Sequence, residues 1–161
     1  MKDCPRAEQG VRRIMAKRKP KDACGEGTGS LPTRVLIVEN DAILALSYEH
    51  VLEDAGVAQI EICATTETAL AALRRSKPDA VILDVHLDDR DDGWAIAELI
   101  ASLGPDRPRI VFSTGAPQDI PPHIAEMGCV LEKPYDPEIL PGILREHERR
   151  GIIGRLRAVL R

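Results

Sequence analysis

The chain has 161 residues, 43% of them apolar and 30% charged, with four aromatic side chains and no apolar stretch near the roughly 20 residues that span a bilayer. That is the composition of one globular domain with an aliphatic core, and it excludes a low-complexity fibre and a membrane span. The net charge of −4 hides an asymmetry: residues 1–30 hold eight Lys/Arg against four Asp/Glu, residues 145–161 six against two, and residues 31–144 eight against twenty, so the acidic body is no nucleic-acid surface and only the basic ends are open to anionic partners or self-association.

Residues 1–33 combine a Lys/Arg cluster with Gly, Ser and Pro and lack a sustained apolar period, which reads as a disordered basic arm. From Arg34 the signals alternate. Val35–Val38 is a short apolar run, as expected of a strand covered on both faces, and a helical stripe of Ile43, Leu44, Tyr48, Val51, Leu52 and Ala55 follows until Gly56 stops it. Ile60–Cys63 reads as a weaker strand. Thr65 then caps a helix carrying Leu70 and Leu73, which Pro78 closes.

Ala80–Asp84 is the second strong buried strand, followed by an acidic loop with Asp88, Asp89, Asp91 and Asp92, read as solvated, and by a helix around Trp94, Ile96, Leu99 and Ile100. Arg109–Ser113 is another strand. The stretch "GAPQDIPPHIAEMG" has too many prolines for more than a short helix. Cys129–Glu132 is the last strand, and a helix from about Pro137 runs toward Arg150, its first turn disturbed by Pro141 and Gly142.

Five strands alternating with helices predict an α/β fold: a doubly wound, five-stranded parallel sheet in a single domain over residues 34–146, flanked by flexible basic tails. In residues 147–161, Ile152, Ile153, Leu156, Val159 and Leu160 form an apolar face among arginines, a basic amphipathic extension that reads equally as a homodimer or partner contact, a segment lying on an anionic membrane, or a frayed solvated tail. Cys4, Cys24, Cys63 and Cys129 have no close pair and no secretory leader before them, so they read as reduced thiols of a cytoplasmic protein. His50, His86, His123 and His147 show no metal spacing.

Ligands of such sheets bind beyond the carboxyl ends of the strands. Those tips carry Glu39 and Asn40, Asp84, Ser113 and Thr114, and Lys133 before Pro134. Carboxylates on two strands, a hydroxyl and a cation at one edge suit a small hard dication such as Mg²⁺ and a phosphoryl group held against it.

The segments "VLIVEN", "DAVILDVHL", "DGWAIAELI", "VFSTGA" and "LEKPYD", in that order and spacing, resemble the response-regulator receiver domain of two-component signalling over about residues 34–146. The resemblance implies a flavodoxin-like fold of receiver type. It implies Asp84 as phospho-acceptor, Glu39 and Asn40 at the acidic-pair positions, and Thr114, Gly115 and Lys133 as switch and phosphoryl contacts. Mg²⁺ would be held by Glu39, Asn40, Asp84 and the backbone carbonyl of His86. The phosphoryl donor would be a sensor histidine kinase or phosphotransfer protein, and the chain would be a signalling module without turnover, at most catalysing its own phosphorylation and dephosphorylation.

Two positions depart from the family. Asn40 stands where a second carboxylate is usual, so Mg²⁺ should bind more weakly unless Asp41 turns inward. Val130 stands where an aromatic usually moves with Thr114, and a valine side chain has one stiff χ1 and little surface to relocate.

"FSTG" followed by Pro resembles a subset of stand-alone receivers, and with no output domain expected, direct DNA binding is not expected and the downstream protein partner stays open. The alternative is a degenerate receiver acting as a phosphorylation-independent interaction module. An aspartyl-phosphate phosphatase on a similar sheet would need a second Asp where this chain has His86.

Overall fold

The computed structural model describes Cys24 and residues 29–87, 94–104 and 107–145. The acidic-loop aspartates Asp88, Asp89, Asp91 and Asp92, most of the basic arm and the extension 147–161 lie outside the described residues.

Five strands form one sheet: β1 (Arg34–Val38), β2 (Gln59–Cys63), β3 (Ala80–Asp84), β4 (Arg109–Thr114) and β5 (Cys129–Glu132). They lie in the order β2-β1-β3-β4-β5 and every neighbour pairs parallel. This is the doubly wound, flavodoxin-like order, which the sequence predicts, with its reversal point at β1 and β3. The central strands are β-branched or leucine-rich and buried along almost their whole length. Residue periodicity of two then divides the core in two.

On one face Leu36, Val38, Val81, Leu83, Ile110 and Phe112 pack against α2 (Thr66–Ser76), α3 (Trp94–Ser102) and α4 (Pro122–Ala125). On the other, Val35, Ile37, Ile82, Val111 and Leu131 pack against α1 (Ala42–Ala55) and α5 (Leu140–Leu144).

Local signals decide most boundaries. Asp41 Oδ1 accepts from the backbone N–H groups of Ile43 at 2.8 Å and Leu44 at 3.2 Å, capping α1, and Gly56 ends it in the left-handed region at φ 99°. Thr65 and Thr68 form a reciprocal capping box on α2. The prolines of residues 117–122 reduce the connection before β5 to a 3-10 turn, Pro117–Asp119, and the four-residue α4. Gly128 enters β5 so close to β4 that a Cβ there would sit 2.3 Å from the Ile110 carbonyl oxygen. No helix among the described residues is long and apolar enough to cross a membrane.

Three readings change. Ile43, placed on the buried stripe of α1, is 80% exposed, because five residues separate it from the buried Tyr48 and turn it about 140° around the axis. The last helix begins as a 3-10 turn at Pro137–Ile139 and ends at Leu144, where Arg145 is extended and the Arg109 guanidinium donates to the Leu144 carbonyl. Finally, Cys24 and Cys129, read as thiols, form a disulfide across 105 residues with Cα atoms 5.1 Å apart, while Cys63 is a buried free thiol. No sequence pattern links two cysteines so far apart; only the placing of Cys24 beside β5 brings them together.

Candidate functional site

Two of the strand tips converge on an ammonium group supplied by a third. Lys133 Nζ donates to Glu39 Oε2 at 2.7 Å and to Asp84 Oδ2 at 2.8 Å. Both carboxylates are buried, Glu39 2% and Asp84 6% exposed. Their other oxygens are held by the backbone: the Asp41 N–H donates to Glu39 Oε1 at 3.2 Å and the His86 N–H to Asp84 Oδ1 at 2.9 Å.

Strand geometry explains the convergence. Parallel neighbours in register bring the ends of β1, β3 and β4 to one edge, and Asp84 lies opposite Ser113 in the β3–β4 ladder. Lys133 is held at the same edge because its N–H donates to the Thr114 carbonyl at 2.8 Å, continuing the β4–β5 ladder one residue past Glu132, and the Lys133–Pro134 bond that follows is cis.

Electrostatics follow from two carboxylates sharing one cation. Burial, with the neighbouring Asp84 charge, raises the Glu39 carboxyl above its ordinary value although Lys133 opposes the shift. Burial works against the Lys133 charge, yet the Asp84 and Glu39 carboxylates outweigh it and the ammonium is held above its usual range. One negative charge stays uncompensated among hard oxygen donors. Among the described residues no three His, Cys, Asp or Glu side chains converge as metal ligands, so a dication here would rely on two carboxylates, amide and carbonyl oxygens and water, the donor set that Mg²⁺ tolerates. The residues present fit such an ion.

The remaining candidates lie around this centre. Thr114 is fully buried; its Oγ1 accepts from the Ala116 N–H at 3.1 Å and lies 3.4 Å from His86 Nδ1. Gly115 faces open space, with nothing within 4 Å of where a Cβ would stand. Asn40 follows Glu39 at the rim and is half-buried. Asp41 does not turn inward to supply the missing charge, because its carboxylate is engaged in capping α1.

Sequence reasoning treated His86 as a source of a carbonyl only; its ring also lies between Thr114 and Asp119, with Nε2 3.8 Å from Asp119 Oδ2. It also missed the pairing of the chain's two tyrosines, Tyr48 and Tyr135, whose rings stack beneath the site. The hint available was a tyrosine two residues after Lys133.

The model of the response regulator receiver domain matches residues 35–145. The chain belongs to this family. Among curated relatives, protein-glutamate methylesterase/protein-glutamine glutaminase 1 of Anaeromyxobacter dehalogenans is 30% identical over 63% of this chain and 29% of its own length. The sensory transduction protein LytT of Bacillus anthracis is 28% identical over 73% of this chain and 48% of its own. The receiver therefore spans about half or less of these relatives, and the methylesterase likeness is confined to less than a third of that enzyme. Among solved structures, a CheY-like receiver domain from Methylobacillus flagellatus matches with a TM-score of 0.61 at 30% identity, covering 71% of this chain and 97% of that one.

Proposed function

We propose that this receiver accepts a phosphoryl group on Asp84 from a phosphohistidine of a sensor histidine kinase or phosphotransfer protein, and passes the signal on through protein contacts in the cytoplasm. The observation that carries the reading is the half-buried ammonium of Lys133 bridging the buried carboxylates of Asp84 and Glu39 at the carboxyl edge of the sheet.

In the transfer, an Asp84 oxygen forms a bond to phosphorus while the phosphorus–nitrogen bond of the donor breaks and the imidazole leaves with the electron pair. Lys133 stands where it can neutralise charge on the transferring oxygens. Thr114, once its hydroxyl turns from the local loop, can donate to the attached group, and the open space at Gly115 leaves room for it. Mg²⁺, held by Glu39, Asn40, Asp84 and the His86 carbonyl, would supply further positive charge. Asn40 offers an amide oxygen without charge, so the ion should bind more weakly than at a two-carboxylate site. Asn40→Asp should tighten Mg²⁺ about tenfold, the effect of roughly 1.4 kcal/mol of added attraction, as measured by titrating Mg²⁺ against beryllofluoride binding.

The decisive experiment incubates the chain with acetyl phosphate and Mg²⁺ and compares it with Asp84→Asn. A stoichiometric, base-labile adduct in the parent and none in the variant supports the reading. No adduct in the parent leaves a receiver that acts as a phosphorylation-independent interaction module.

A further inference from the structure

Beneath the rim, on the side of β4 opposite Thr114, three hydroxyl groups meet. The Tyr135 hydroxyl donates to Ser113 Oγ at 2.9 Å, and Tyr48 Oη lies 3.2 Å from the same oxygen. The tyrosine rings stack, centroids 5.9 Å apart and planes within 10°. Ser113 is fully buried and Tyr48 nearly so. Burial pushes the Tyr135 hydroxyl well above its ordinary range, so it stays protonated and remains a donor. Two phenylalanines would stack as well and need no serine; the buried hydroxyls commit the three residues to one another.

Each hydroxyl belongs to a chain segment that also supplies the rim. Tyr48 lies on α1, which follows Glu39; Ser113 precedes Thr114; Tyr135 follows Lys133 by two residues. A displacement of Lys133 must therefore be met at Tyr135, because hydrogen bonds weaken within a few tenths of an ångström and through modest angles. Lys133 now divides its ammonium between Glu39 and Asp84, and new phosphoryl oxygens on Asp84 would compete with Glu39 for it. On the opposite face the described polar contacts of the rim run from Thr114 through the exposed His86 ring to Asp119 on a 3-10 turn rather than to a long helix, while Val130 is stiff and α4 has four residues.

Resting on the phospho-acceptor reading, we propose that Tyr135 is a positioning residue which, through Ser113 and Tyr48, sets Lys133 and carries its displacement to α1, making the α1/α5 face the surface where phosphorylation is read.

The test follows backbone amide resonances of the full chain on adding beryllofluoride with Mg²⁺. The parent should shift at Thr114 and Lys133 and also along α1. Tyr135→Phe should keep the rim shifts and lose at least half of the α1 response, while phosphorylation by acetyl phosphate slows about fivefold, the factor that accompanies one ordinary hydrogen bond. Ser113→Ala should behave alike and serves if Tyr135→Phe does not fold. An unchanged α1 response in these variants, even with a lowered melting temperature, overturns the coupling and leaves a structural tyrosine pair. A parent without rim shifts overturns the phospho-acceptor reading and the coupling with it.

Discussion

Among the described residues, the buried cluster under α2, α3 and α4 is mainly aliphatic around the Phe112 ring, whereas the face under α1 and α5 holds a stacked tyrosine pair hydrogen-bonded to a buried serine. Both bury their side chains almost completely, yet they can respond to the rim in different ways. An aliphatic interior changes only by repacking, which close packing resists. A chain of hydroxyls has discrete partners and changes by exchanging one for another. The same β4 strand serves both faces, since Phe112 and Ser113 point opposite ways, so the difference is one of side-chain chemistry rather than of backbone.

Substitutions can break or sharpen that contrast. The largest effect is expected from Phe112→Ala, which empties the centre of the aliphatic face and should cost about 3–5 kcal/mol in urea unfolding. Lys133→Met, at the rim where the faces meet, leaves two buried carboxylates without their cation and should cost about 3 kcal/mol. A loss confined to the first variant would show that the rim adds little to stability.

Gly128→Ala forces a Cβ against the Ile110 carbonyl and should cost about 1–3 kcal/mol, seen as a lower melting temperature. Tyr135→Phe removes one hydroxyl and keeps the stacked ring, so a loss of about 1 kcal/mol is expected. A much larger loss would make the triad structural and erase the contrast.

The smallest effect is a pH slope. Glu39 is raised above its ordinary 4.5, chiefly by burial, so just above that pH the folded chain holds a proton that the unfolded chain has released. Stability should fall as pH rises through that window in the absence of Mg²⁺, and Glu39→Gln should flatten the decline in thermal melts.

Much of the architecture was legible beforehand for local reasons. Runs such as Val35–Val38 and Ala80–Asp84 are apolar without alternation because both sides of the sheet are covered, and Thr65 and Gly56 act within one turn of chain. The rim was legible too, because parallel strands in register must bring their ends to one edge. The register, however, did not show that Asp41 would be engaged in capping, nor that Ile43 would face outward, since each depends on how α1 is rotated against the sheet.

The sequence by itself determined the alternating elements, the two-sided core and the placing of Glu39, Asp84, Thr114 and Lys133 at strand ends, all of which follow from residue period and neighbours along the chain. Only the tertiary structure decided that one ammonium bridges two carboxylates, that Tyr48 and Tyr135 share Ser113, and that Cys24 meets Cys129. Such contacts join residues 22 to 105 positions apart, and no period in the sequence encodes a distance that arises when separate segments pack on the same sheet.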